Sequence, residues 1–128
     1  MSSLVLGSGG VSQLSARSQD AAALIAVLMR DGPWPPVVPS VVLVEPLTGR
    51  QRTDVLANRF LKTCNIVESV RERLARRSAV LRALARTGSA VDAIVVAMAE
   101  PGGTVLSGDV GDLGALAAYA DNVVVQRV

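Results

Sequence analysis

The chain has 128 residues, half of them hydrophobic, yet only Trp34, Phe60 and Tyr119 are aromatic, and its net charge is +2. That length suits one domain, residues 1–128, around an aliphatic core. There is no histidine and one cysteine, Cys64, which excludes Ser-His-Asp and Cys-His catalysis, histidine zinc sites and an internal disulfide.

No apolar run approaches the roughly 18 residues of a membrane span. Met1-Ser2-Ser3 lacks the basic start of a secretion signal, and a lone cysteine suits a reducing compartment. The expectation is a soluble cytoplasmic domain.

In chain order, Leu4-Val5-Leu6 reads as a short buried strand followed by a glycine-rich turn, Gly7-Ser8-Gly9-Gly10. A helix bent or broken around Ser18 follows, with Ala21 to Met29 as its clearest apolar segment. The prolines of Asp31-Gly32-Pro33-Trp34-Pro35-Pro36 dictate a loop. Val37-Val38 is a second strand. Val41 to Leu47 is read as a short helix opened by Pro39-Ser40 and stopped by Gly49, against the strand preference of its β-branched residues. Thr53 to Lys62 is a helix with Val55, Leu56, Phe60 and Leu61 as its apolar positions, and Cys64 to Val67 is a third strand.

Glu68 to Arg86 has the period of a long helix, with Val70, Leu74, Leu81 and Leu84 on one side. A helix carrying Asp92, a Thr104-Val105-Leu106 strand, a helix from Val110 to Tyr119 and a final strand, Asn122 to Gln126, complete the chain. Strands alternating with helices define an α/β fold with a parallel sheet of four or five strands covered on both faces.

Charge divides the chain more sharply than its total suggests. Between Arg50 and Arg86 there are ten basic residues against Asp54, Glu68 and Glu72, a surplus of seven. The rest holds Arg17, Arg30 and Arg127 against eight acids. A basic middle between acidic flanks suits a polyanion held by arginine and cut at carboxylates, and it also suits a solvated helical face.

The carboxylates have two readings as well. Asp92 stands three residues after Ser89, and Asp112 three after Asp109, both spacings of helix caps. Glu45 lies within Val-Val-Leu-Val-Glu-Pro-Leu, where an unpaired buried carboxylate costs several kcal/mol and demands a partner. Glu45, Asp92, Asp109 and Asp112 all fall near one predicted sheet edge. A shared divalent cation accounts for the four together, and all-oxygen ligation selects Mg²⁺ or Mn²⁺.

The block 72–113, ERLARRSAVLRALARTGSAVDAIVVAMAEPGGTVLSGDVGDL, resembles VapC toxins, the PIN-domain half of bacterial toxin–antitoxin pairs. So does Pro39-Ser-Val-Val-Leu-Val-Glu45 followed by Leu47-Thr-Gly-Arg50. The likeness runs along essentially the whole chain. It implies a PIN-like three-layer α/β/α sandwich and an Mg²⁺- or Mn²⁺-dependent endoribonuclease acting on tRNA or rRNA, with a VapB-type antitoxin and a sister subunit as partners.

By motif match the resemblance implies Glu45, Asp92 and Asp109 as catalytic residues, with Asp112 joining them in holding metal and Ser107 as the small hydroxyl that orients the last pair. Arg50, Arg73, Arg76, Arg77, Arg82 and Arg86 are the candidates for RNA or antitoxin contacts. One position departs decisively. Where the family ends its first strand in a metal-binding aspartate, this chain reads Leu4-Val5-Leu6-Gly7-Ser8, and Ser8 does not replace a carboxylate. Loss of that ligand implies an impaired nuclease, or a PIN-like protein that only binds an antitoxin or RNA. Pro46 is a smaller departure, bending the chain beside Glu45. A third reading takes Gly7-Ser8-Gly9-Gly10 as a phosphate-binding turn, but Ser12 stands where the third glycine of that motif belongs.

Overall fold

The computed structural model describes residues 3–108 and 110–128; Asp109 lies outside the described residues, so its place in the site is not described. Five parallel strands form one sheet: β1 (Leu4–Leu6), β2 (Val37–Pro39), β3 (Asn65–Val67), β4 (Thr104–Ser107) and β5 (Val124–Arg127), in the order β3-β2-β1-β4-β5. Six α-helices flank it among the described residues: α1 (Ser8–Ser15), α2 (Gln19–Asp31), α3 (Val55–Leu61), α4 (Glu72–Ala85), α5 (Ala90–Ala99) and α6 (Gly111–Ala117). The arrangement is a three-layer α/β/α sandwich.

The strand order follows from the connections. From β1 the chain steps outward through β2 to β3, then crosses back to β4 and on to β5, so the direction of winding reverses between β1 and β4. In a doubly wound sheet a crevice opens at such a point, outside the carboxyl ends of the strands. Register places Leu6 beside Leu106, and Gly7 N–H donates to Leu106 O at 3.3 Å. Gly7 and Ser107 therefore stand at the mouth of that crevice.

The central strands carry continuous apolar runs because both faces are covered. Leu6, Leu106, Val5 and Val105 pack with Val11, Leu81, Val95, Val96 and Leu116 in one aliphatic core. Helix α1 begins at Ser8, so the predicted glycine turn is the first turn of a helix instead. The glycines serve packing: a Cβ on Gly10 would lie 2.5 Å from Leu106 O, and one on Gly9 would lie 2.7 Å from Gly108 N. They bring α1 hard against β4.

Ser18 breaks the first helical stretch as expected, capping α2 by accepting from Ala21 N–H at 3.0 Å. The segment after β2 is a short 3-10 helix, Ser40–Val44. Helix α4 starts four residues later than its periodicity suggests, leaving Val70 in the preceding loop, and Leu84 is half exposed. Val55 and Leu56 of α3 are also exposed, while Phe60 and Leu61 are buried. Helices α4 and α5 form an antiparallel pair closed by the turn 86–89. The turn is set by left-handed Arg86 (φ 56°) and by Gly88 (φ 89°), and Arg82 Nε donates to Gly88 O at 3.0 Å.

Candidate active site

A cleft of about 280 Å³ at the carboxyl edge is lined by Ser8, Gly9, Glu45, Asp92, Ser107, Asp112 and Leu113. Each polar member arrives by a different route. Ser8 opens α1 directly after β1, and Ser107 ends β4. Glu45 closes the 3-10 helix that leaves β2. Asp92 lies in the first turn of α5, because α5 must finish at the opposite edge to feed β4. Asp112 lies in the first turn of α6. Residues distant in sequence thus share one cleft because their strands end, or their helices begin, at one edge.

The carboxylates are held lightly. Ser8 Oγ donates to Glu45 Oε2 at 3.3 Å, and Thr87 Oγ1 donates to Asp112 Oδ1 at 2.7 Å. Asp92 closes the anticipated capping box: its N–H donates to Ser89 Oγ at 3.0 Å, and Ser89 N–H reaches Asp92 Oδ2 at 3.5 Å. Asp92 is therefore a helix cap and a wall of the cleft at once. Among the described residues none of these three carboxylates is in an ion pair.

Glu45 is not buried, contrary to the expectation from its apolar neighbours in sequence. The residue is exposed, as is Val44 at 81%, because the 3-10 helix turns its last residues out of the core. No buried charge demands a partner there; Glu45 belongs to the site by position, not by desolvation.

Oxygen donors from three carboxylates and two serines suit a hard cation such as Mg²⁺ or Mn²⁺ in chemistry. In geometry, among the described residues, no group of three or more acidic side chains stands close enough together to hold a metal ion. Gly7, where the resemblance leads one to expect a further carboxylate, brings no side chain to the set. Gly7 has extended backbone (φ −82°, ψ −179°) and is the N-cap of α1 without a side-chain cap. A Cβ there would meet only Leu113 Cδ1, at 3.9 Å. Room for a side chain exists where none is carried.

The arginines separate into two groups. Arg82 and Arg86 lie at the end of α4 that meets the cleft-side turn, and Arg50 lies in the loop following Glu45. Arg77 does not belong with them. Its Nε and Nη2 bind Glu100 Oε1 and Oε2 at 2.8 and 2.7 Å, and Glu100 also accepts from Asp121 N–H at 2.7 Å. Glu100 stands at the end of α5 before β4, hence at the amino edge of the sheet. The Arg77 guanidinium holds the Glu100 carboxyl below its ordinary pKa, and Glu100 raises that of Arg77. Arg73 lines the same amino-edge groove. Arg76 pairs with Glu72 along the exposed side of that end of α4. These three stand about a helix length from the carboxylates.

Sequence reasoning missed three residues. Thr87 is legible only as a hydroxyl in the turn before α5. Asp54 is buried and accepts from Thr48 N–H, Thr48 Oγ1 and Gly49 N–H at 2.9–3.1 Å. Those bonds, led by the Thr48 amide, lower its pKa and pin the loop that carries Arg50. Arg127 sits beside Ser107 in the β4–β5 register, which brings a flanking cation to the cleft edge. Cys64 is half-buried and burial pushes its thiol up to about 11, so it is no nucleophile at neutral pH.

No family model matches the chain, and no curated protein matches it.

Proposed function

We propose that this chain is a VapC-type PIN-domain toxin whose metal-dependent endoribonuclease site is impaired by Gly7. The carrying observation is the convergence of Glu45, Asp92, Asp112, Ser8 and Ser107 on one cleft at the winding reversal of the sheet. Charge supports it: Arg82 and Arg86 are at the end of α4 next to the turn that carries Thr87, Arg127 pairs with Ser107 in the sheet, and Arg50 follows Glu45 in the chain, cations that suit an RNA backbone. A bound Mg²⁺ or Mn²⁺ would supply a hydroxide nucleophile and neutralise phosphate charge. The chain's own part is to hold carboxylates at the crevice and arginines on its rim. The same reading takes tRNA or rRNA as substrate, the cytoplasm as place of action, and a VapB-type antitoxin and a second copy as partners. Among the described residues no helix is long and apolar enough to cross a membrane.

A second reading has one observation in its favour. The three described carboxylates fall short of a metal cluster, which suits a PIN-like protein that binds RNA or an antitoxin and does not cut. The test is a pair of proteins, this chain and its Gly7→Asp variant, assayed for growth arrest and for RNA cleavage with Mn²⁺. Cleavage by the variant alone is the expected result. Silence in both favours the binding module, and equal cleavage by both removes Gly7 from the argument.

A further inference from the structure

A larger groove, about 570 Å³, lies at the opposite edge of the sheet from the carboxylates. Its floor is Leu74, Ala97 and Pro101, from α4, α5 and the turn before β4. Arg71 and Arg73 stand over one side, both exposed, and Asp121 stands at another. The Arg77–Glu100 pair forms a fixed wall, neutral in sum because each guanidinium–carboxylate bond is made. Among the described residues neither Arg71 nor Arg73 has an ion-pair or side-chain hydrogen-bond partner. The groove thus presents two unspent cations beside an apolar floor, with a carboxylate beyond them.

We propose that this groove is a docking site for an acidic peptide segment carrying an apolar side chain. The two guanidiniums take carboxylates of the segment, the floor takes the apolar side chain, and Asp121 can accept from its backbone N–H groups. Charge complementarity selects the class of partner. An RNA strand matches less well, because its evenly charged backbone would have to pass the Asp121 carboxylate. No aromatic side chain lines the groove for a base to stack on, the usual second anchor of a single strand. Position separates this surface from the carboxylate cleft, so the inference stands independently of any nuclease activity.

The probe is a fluorescein-labelled, end-blocked hexapeptide of alternating glutamate and leucine, titrated into the ¹⁵N-labelled full chain. Saturable binding is expected, with amide shifts at Leu74, Ala97 and Asp121 and none at Ser8 or Ser107. Arg71→Ala/Arg73→Ala should weaken binding about threefold to tenfold, the scale of losing two exposed ion pairs, while Arg82→Ala/Arg86→Ala should leave it unchanged. Replacing the leucines of the probe by serine should also weaken binding. Failure of the intact chain to bind the probe overturns the proposal. So does equal binding by the Arg71/Arg73 variant, indifference to the serine replacement, or stronger shifts of the same amides by an oligouridylate.

Discussion

The two edges of the sheet hold the same kinds of charge in opposite conditions. At the amino edge Glu100 accepts two guanidinium bonds and a backbone N–H, its side chain only 12% exposed. At the carboxyl edge Glu45 and Asp112 each accept from a single hydroxyl, and Asp92 from the backbone of its own cap. A carboxylate locked to arginine at both oxygens is part of the structure. One that meets only a hydroxyl, as exposed Glu45 and Asp112 do, is held less firmly and stays in contact with solvent. The partners of a charge, more than the density of like residues around it in sequence, decide whether it is fixed in the fold.

The comparison breaks most readily at Gly7. Gly7→Asp should raise Mn²⁺-dependent RNA cleavage at least about a hundredfold, since even the outer neighbours of a metal ligand alter activity by 10–100-fold. The stability of that variant should stay within about 0.5 kcal/mol of the parent in urea titrations, because aspartate and glycine differ little as N-caps. Glu100→Ala should do the reverse, costing about 2 kcal/mol of unfolding free energy by stripping Arg77 and the Asp121 amide of their acceptor. Binding of Gly7→Asp to RNA should be unaffected by adding Glu100→Ala under conditions where both are folded.

The arginines sharpen the contrast further. Arg82→Ala/Arg86→Ala should lower RNA affinity about tenfold at low salt and flatten its salt dependence, measured by filter binding. Arg71→Ala/Arg73→Ala should leave both unchanged. Smallest is the effect of acid. Glu100 and Asp54 both have pKa values depressed by folding. Their contribution is complete above the ordinary carboxylate value of about 4 and drains away as pH falls through the lowered values. Glu100→Gln should flatten the acid limb of the urea midpoint plotted against pH.

Much of the architecture was legible because it is local. Alternating apolar runs and helical periods define the strands and helices, the Ser18 break and the Ser89–Asp92 cap among them. The cleft was legible by topology, since strand ends and helix starts of a parallel sheet share an edge. What escaped depended on contacts across the fold. Arg77 looked like its neighbours until Glu100, 23 residues away, claimed it. Glu45 looked buried within an apolar run because only the three-dimensional path of the 3-10 helix turns it outward. The Gly-Ser-Gly-Gly stretch looked like a loop because the close approach of β4, which those glycines serve, lies almost a hundred residues on.

Gly7 is unlike the glycines that follow it. Gly9 and Gly10 are fixed by neighbours that would collide with any side chain, whereas the space beside Gly7 is open. Position 7 therefore differs from positions 9 and 10 in that a Cβ there would meet no atom closer than 3.9 Å. The packing of α1 on β4 rests on Gly9 and Gly10 and the opening of the cleft on Gly7, so neighbouring glycines in one stretch set the fold and the cleft separately.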